Sequence, residues 1–304
     1  MKKIIKKTIN NFFNKRILMT ANSHILNIRD KYKKISNIND LDYKIFSQNG
    51  EDGIIDYLLN SLNIDNPKFV EIGIGNYSES NTRYIFERTS GKGLVVDCIP
   101  DLQKKVADSV KLWKGDLTVV ETFVNSENIL EILKKNSFVN DVDLFSLDVD
   151  GIDYWILQKL PNNFSKIAII EYNSVFGSDL EITVPNKLSF NRTEYHYSNL
   201  CFGASLKALV NLMELKDFIF VGSNLTRCNA FFFSKEHIKN INLKTQDKND
   251  FSKHTNSNIR ESRDVEGRLS YLSGKNKIEK IYDCEIVDLT DNNLKKIKDI
   301  YKLK

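Results

Sequence analysis

Between residues 40 and 235 short apolar runs alternate with stretches of helical periodicity. Ile54, Ile55, Leu58, Leu59 and Leu62 recur at the spacing of one helical face. Glu51 and Asp52 stand at the start of that helix, where carboxylates complement the backbone dipole. Phe69 to Ile72 then reads as a strand that runs into glycines at 73 and 75. A helix through Arg83 to Glu87 leads to a strand at Leu94 to Asp97, and a helix from about Asp101 leads to a third strand at Leu117 to Val120. The helix around Ile129 to Leu133 precedes a fourth strand, Leu144 to Asp148, and Ile167 to Glu171 is a fifth. Runs apolar along their whole length mean strands buried on both faces, as in a parallel sheet. After a helix containing Leu206, Leu209, Leu212 and Leu215, the runs Phe218 to Val221 and Asn229 to Phe233 are close enough to pair antiparallel through a turn at Ser223 and Asn224. The pattern predicts an α/β domain over 40–236: a mostly parallel seven-stranded sheet with an antiparallel C-terminal hairpin.

Three stretches depart from that alternation. Residues 172–202 carry little periodicity but many polar and aromatic side chains, among them Arg192, Tyr195, His196 and Tyr197, and an insertion of that length is expected to be functional. From about His237 the chain is rich in Lys, Asn, Asp and Ser, and its first part to Ile259 reads as a loop or linker. The closing segment, with Ile278, Ile281, Ile286, Val287 and Leu289, has enough apolar side chains to pack back on the domain. At the other end, residues 1–39 form an extension in which Ile4, Ile5, Ile9, Phe12, Phe13, Ile17 and Leu18 recur at helical spacing among lysines. A basic amphipathic helix follows, and it either covers the domain's own core, docks on a partner or lies on an anionic membrane surface.

Composition narrows the classes. The chain has 304 residues, 41% of them hydrophobic and 28% charged, which suits a soluble globular protein. A net charge of +4 is too small at this size to demand nucleic acid as a partner. Cys98, Cys201, Cys228 and Cys284 form no CxxC pair, which argues against a zinc ribbon or a disulfide framework and fits a reducing, cytoplasmic setting. The N-terminal lysines resemble the start of a signal peptide, but no uninterrupted apolar region follows, and no stretch approaches the roughly 18 apolar residues of a membrane span. The expected setting is cytoplasmic, with the N-terminal helix available for peripheral contact at the inner face of the membrane.

The candidate chemistry begins at the first strand, which delivers Glu71 into the turn at Gly73 and Gly75. Glycines at a strand-to-helix turn let a ligand approach the backbone, yet a carboxylate there repels a pyrophosphate, and Ser78 stands where a third dinucleotide-binding glycine would fall. S-adenosylmethionine carries a sulfonium and an ammonium and no phosphate, so the arrangement favours it over NAD. Asp97 ends the second strand a little over twenty residues later, and either accepts both ribose hydroxyls or caps the helix near Asp101. Asp116 either faces an adenine amino group or is a solvated turn residue.

A second dense signal is Asp148-Val-Asp150-Gly-Ile-Asp153, with Glu171-Tyr-Asn173 at the end of the next strand. In an open parallel sheet those strand ends lie side by side at the ligand crevice. Asp148 and Asp150 project to one side if strand geometry persists, as do Glu171 and Asn173. Four oxygens then converge as a candidate Mg2+ or Mn2+ site, since hard cations favour carboxylates, an amide oxygen and waters. The competing reading has the same groups gripping a cofactor amino group and capping the helix at Ile152. His196, flanked by the aromatic rings of Tyr195 and Tyr197, is a candidate base beside Asp150; a surface histidine is the plainer alternative.

The run Asp143-Leu-Phe-Ser-Leu-Asp148-Val-Asp150-Gly-Ile-Asp153 resembles the fourth-strand motif of FkbM-like class I S-adenosylmethionine-dependent methyltransferases. Ser47-Gln48-Asn49-Gly50-Glu51-Asp52-Gly53, the glycine turn, Ile170-Glu171-Tyr172-Asn173, Phe202-Gly203-Ala204-Ser205 and Asn229-Ala230-Phe231 extend the resemblance over about residues 45 to 235. It implies a Rossmann-like methyltransferase fold, cofactor contacts at Gln48, Glu71, Gly73, Gly75 and Asp97, and O-methylation of a sugar or glycan-like hydroxyl. Asp150 replaces the family's usual Glu, and Tyr172 separates Glu171 from Asn173 where metal-dependent O-methyltransferases commonly have adjacent ligands. Two rival functions stand: a nicotinamide-dependent oxidoreductase, and a non-catalytic, membrane-peripheral binding protein with the same fold. A homo-oligomer is compatible with all three.

Overall fold

The computed structural model describes residues 13, 16–20, 29–244, 246, 250–255, 257 and 261–301. Five strands follow in chain order, each preceded by a helix or turn: β1 (Lys68–Ile72), β2 (Lys92–Asp97), β3 (Asp116–Glu121), β4 (Leu144–Leu147) and β5 (Ile167–Glu171). After them come a two-residue strand, β6 (Ile182–Thr183), the hairpin of β7 (Phe218–Ser223) and β8 (Asn229–Ser234), and the C-terminal pair β9 (Glu285–Asp288) and β10 (Asn293–Lys296).

Seven of these strands make one sheet in the order β3-β2-β1-β4-β5-β8-β7. All neighbours from β3 to β5 are parallel, and β8 pairs antiparallel with both β5 and β7. The mixed α/β architecture and the closing hairpin therefore follow the hydrophobic pattern, with boundaries shifted by one or two residues.

Alternation along the strands divides the core into two layers. Val70, Ile72, Leu94 and Val96 face one layer, which also holds Ile129, Leu133, Ile156, Leu157, Leu209 and Met213 from three helices. Phe69 and Val95 face the other, with Ile54, Ile55, Leu58 and Leu59 from the helix Glu51–Ser61 and with Ile85, Phe86, Leu102 and Val106. A period of two in strands between helices of period 3.6 is what lets apolar runs feed both sides at once.

The insertion and the C-terminal extension, read separately in the sequence, form one unit. β6 of the insertion pairs with β9, and β9 with β10, in a second antiparallel sheet. Ile278, Ile281, Ile286 and Ile297 anchor the extension in the same layer as the helix Leu206–Leu215. The stretch after His237 is not devoid of pattern either, because Ile241, Leu243 and Phe251 are buried. Most of the N-terminal helix lies outside the described residues; positions 16–20 are helical, with Ile17 and Met19 exposed. No helix among the described residues is long and apolar enough to cross a membrane.

Candidate functional site

Parallel strands place their C-terminal ends along one edge of the sheet, and the loops leaving β1, β2, β3 and β4 there enclose a cavity of about 780 Å3. Gly73 has φ +84°, and a Cβ on it would sit 1.5 Å from the carbonyl oxygen of Asp148. The chain leaving β1 thus touches the end of β4 backbone to backbone, a contact open only to glycine. Gly75 has φ +54° with open space where a side chain would be, so its backbone is bare to the cavity. Its amide donates to Asp97 Oδ2 at 2.7 Å, and Asp97 Oδ1 accepts from Ile99 N at 3.1 Å. Glycine turn and acidic strand end are therefore joined on one wall of the cavity, with Ile99, Lys105 and Phe123 nearby.

Glu71 does not act as the sequence suggests. Its residue is 4% exposed, and its carboxylate accepts from Asn81 N at 2.8 Å, Thr82 N at 2.9 Å and the hydroxyls of Ser80 and Thr82, both at 2.5 Å. Burial raises its pKa, and those four donors oppose the rise. The carboxylate is a clamp on the loop that walls the cavity, not a free anion for a cationic ligand. The correction carries its own consequence. Asn81 N and Thr82 N lead into the helix Arg83–Arg88, where a pyrophosphate would seek amides, and Glu71 already occupies them.

Asp116 is also misplaced by the sequence reading. It opens β3 beside Lys92, which opens β2, and the two side chains pair at 3.3 Å. Strand starts lie at the edge of the sheet opposite the crevice, so Asp116 is remote from an adenine. The end of β3 contributes Thr122, Phe123 and Val124 to the cavity instead.

Next to this cavity lies a second of about 470 Å3, and the acidic side chains stand where the two meet. One carboxylate oxygen each from Asp148, Asp150 and Glu171 lies within 4.8 Å of the others. Burial, then the charges of Asp150 and Asp153, push Asp148 up to about 8. Glu171 rises well above its ordinary value through burial and the charges of Asp148 and Asp150. The two carboxyls share one buried pocket, so repulsion between like charges adds to burial in favouring their protonated forms. Asp150, at φ +53°, turns outward and accepts from Arg192 Nη1. Arg192 belongs to the short helix Arg192–Tyr195 of the insertion; its Nε donates to Asn199 O at 2.7 Å and its guanidinium lies 3.7 Å above the Phe202 ring. Asp153 is structural: its oxygens accept from Val149 N at 2.9 Å and Gly151 N at 3.1 Å, fixing the turn that presents Asp150.

Asn173 stands apart from this cluster. Its Nδ2 donates to the carbonyls of Leu200 and Phe202, both at 2.9 Å, and its Oδ1 accepts from Val175 N at 3.0 Å to cap the turn Ser174–Phe176. The amide is committed to holding the 200–202 loop, so its expected place among metal ligands is withdrawn.

His196 lines neither cavity. Its Nδ1 lies 2.7 Å from the Ser198 hydroxyl, its ring stacks on Tyr197, and burial followed by the Lys280 charge lowers its pKa. Tyr195 donates to Glu285 O at 2.6 Å, so it secures the C-terminal segment. The aromatic residues that line both cavities are Phe123 and Phe190.

Gln48 does line both cavities, and its neighbours explain how it is held. Asp52 Oδ2 accepts from the amides of Ile45, Phe46 and Ser47 at 2.6, 2.7 and 2.8 Å, wrapping the preceding loop around one carboxylate oxygen. Glu51 Oε2 accepts from Asn49 N at 2.8 Å, while Oε1 accepts from Asn224 Nδ2 and Asn229 Nδ2, both at 2.7 Å. The acidic pair that reads as helix-dipole complement also ties Gln48 to the β7-β8 hairpin. Asn229 and Arg192 are the site residues that sequence reasoning left without a role. Asn229 belongs to a run that carried the family resemblance, but only the pairing of β8 with β5 reveals where it points.

No family profile matches this chain, and no curated protein sequence matches it.

Proposed function

We propose that this protein is an S-adenosylmethionine-dependent O-methyltransferase acting on a hydroxyl of a sugar or glycan precursor. The observation that carries the reading is the junction of Gly75 and Asp97 on one wall of a cavity that adjoins a second cavity across Asp148 and Asp150. A nucleoside donor suits the first cavity: the bare backbone admits its sulfonium-bearing chain and Asp97 accepts from its ribose hydroxyls. The acceptor enters the second, between Phe190 and Arg192. The class I methyltransferase fold expected from the resemblance agrees with five parallel strands followed by an antiparallel hairpin.

Methyl transfer breaks the sulfonium carbon–sulfur bond and forms a carbon–oxygen bond, so the hydroxyl proton must be accepted as the neutral thioether leaves. Asp150, exposed and lining both cavities, is the carboxylate placed to take it. The donor set of Asp148, Asp150 and Glu171, with the buried Glu171 Oε2 lacking a partner, fits a hard divalent cation such as Mg2+ or Mn2+. Bound there, such a cation would lower the pKa of an acceptor hydroxyl. The occupied amides at Asn81 and Thr82 count against a nicotinamide dinucleotide.

Isothermal titration calorimetry with S-adenosylhomocysteine, S-adenosylmethionine and NAD tests the reading. Micromolar binding of the first two with silence toward NAD is expected; binding of NAD alone would overturn it. Asp97→Ala removes an acceptor whose bonds to two ribose hydroxyls are worth about 1.5–3 kcal/mol each, so S-adenosylhomocysteine should bind at least about 100-fold more weakly in the same titration.

A further inference from the structure

We infer that Asn229 supplies the amide oxygen of the cation site, completing a ligand set of Asp148, Asp150, Glu171 and Asn229. The inference rests on the cation reading above and adds to it a residue from a different strand. Asn229 opens β8 and is the direct antiparallel partner of Glu171 at the end of β5. Residues opposed in that way project to the same face with Cβ atoms about 4.5–5.5 Å apart. The side chain lines both cavities together with Asp148 and Asp150.

Two observations beyond the nearness of the carboxylates point to a ligand. Asn229 is 6% exposed, yet its Oδ1 is buried with no hydrogen-bond partner. Glu171 Oε2 is in the same condition. A buried acceptor left unmet costs about 1–3 kcal/mol, so two of them on paired positions mark a place where something else donates or coordinates. Moreover, the amide cannot turn over to relieve itself. Its Nδ2 donates to Glu51 Oε1, a carboxylate oxygen that accepts and has nothing to donate, so Oδ1 is held on the side of the amide away from Glu51. Glu51 is itself fixed by Asn224 Nδ2 and Asn49 N. A neutral carbonyl-type oxygen beside three carboxyls suits a hard cation better than a fourth charge, because it adds a ligand without adding repulsion.

Mn2+ binding to the full chain, followed by calorimetry and electron paramagnetic resonance, tests this. The wild type should take up one Mn2+, and Asn229→Ala should weaken it about 10- to 100-fold, the range that losing even an outer-shell partner costs. Unchanged affinity in a folded Asn229→Ala chain would overturn the inference. A second measurement needs no variant: wild-type protein labelled with asparagine 13C at the side-chain carbonyl should show carbon hyperfine coupling to bound Mn2+ by electron–nuclear double resonance. Absence of that coupling would equally overturn it. A wild type that binds no Mn2+ at all would instead remove the cation from the proposed function.

Discussion

Asp148→Asn is expected to raise the melting temperature of the ligand-free protein at pH 8 while lowering methyl transfer about 10- to 100-fold through weaker cation binding, the range that the loss of a group supporting a metal site costs. The stability effect follows from proton linkage. Asp148 holds its proton up to about pH 8 in the folded chain and, like any aspartate, releases it near pH 4 when unfolded. Over that interval the folded state binds more protons than the unfolded one, so stability falls as pH rises from about 4 to 8 and levels off above. Asparagine keeps the shape, carries no charge and does not titrate. The pH-dependent loss from this position should vanish, and each kcal/mol recovered corresponds to roughly 2–4 °C for a domain of 150–250 residues. Thermal melts of both chains between pH 5 and 8.5 check it. A variant that melts lower than wild type at pH 8, or keeps the same downward slope, would refute the assignment.

Gly73→Ala and Gly75→Ala should part company sharply, though the two glycines are only two positions apart. At position 73 a methyl group would meet the Asp148 carbonyl at 1.5 Å, and the backbone already stands at a positive φ that costs a side-chain-bearing residue about 1–2 kcal/mol. Relief requires moving the end of β1 away from β4 at the centre of the sheet. The expected cost exceeds about 4 kcal/mol, at the extreme for a single substitution, and the chain should express as insoluble or denature at much lower urea. At position 75 there is open space, so the variant should fold with a loss of about 1 kcal/mol. Its methyl group projects into the volume assigned to the donor, and S-adenosylhomocysteine should bind at least tenfold more weakly. Urea titrations and calorimetry of the pair separate a structural glycine from a ligand-facing one.

The main sheet was legible in the sequence because its strands are apolar on both faces and its helices carry one apolar stripe, two periods that differ enough to be separated by eye. Asp97, Asp148, Asp150 and Glu171 were legible for a related reason: strand ends on a parallel sheet share one edge, so acidic residues after apolar runs converge without any knowledge of loops. What failed was whatever depends on side-chain partners. Glu71 follows the same rule as Asp97, yet Ser80, Asn81 and Thr82 fold back to capture it. Asn173 carries the right chemistry at the right strand end and spends it on the 200–202 loop. Asp116 was assigned from its nearness to a strand without regard to which end it occupied. Asn229 was invisible as a site residue because its position depends on an antiparallel pairing between segments nearly sixty residues apart, which no local pattern specifies.

The second antiparallel sheet gives the two cavities separate origins in the chain. The first takes its walls from residues up to Phe190 and from Asn229, whereas the second also draws on Glu261 and Lys277, carried by the segment that β9 holds against β6. Sequence drift, truncation or exchange beyond residue 260 would therefore recast one chamber and leave its neighbour's lining intact. On the proposed transferase reading, a lineage built on this scaffold has a ready means of diversifying what it modifies without relearning what it modifies with.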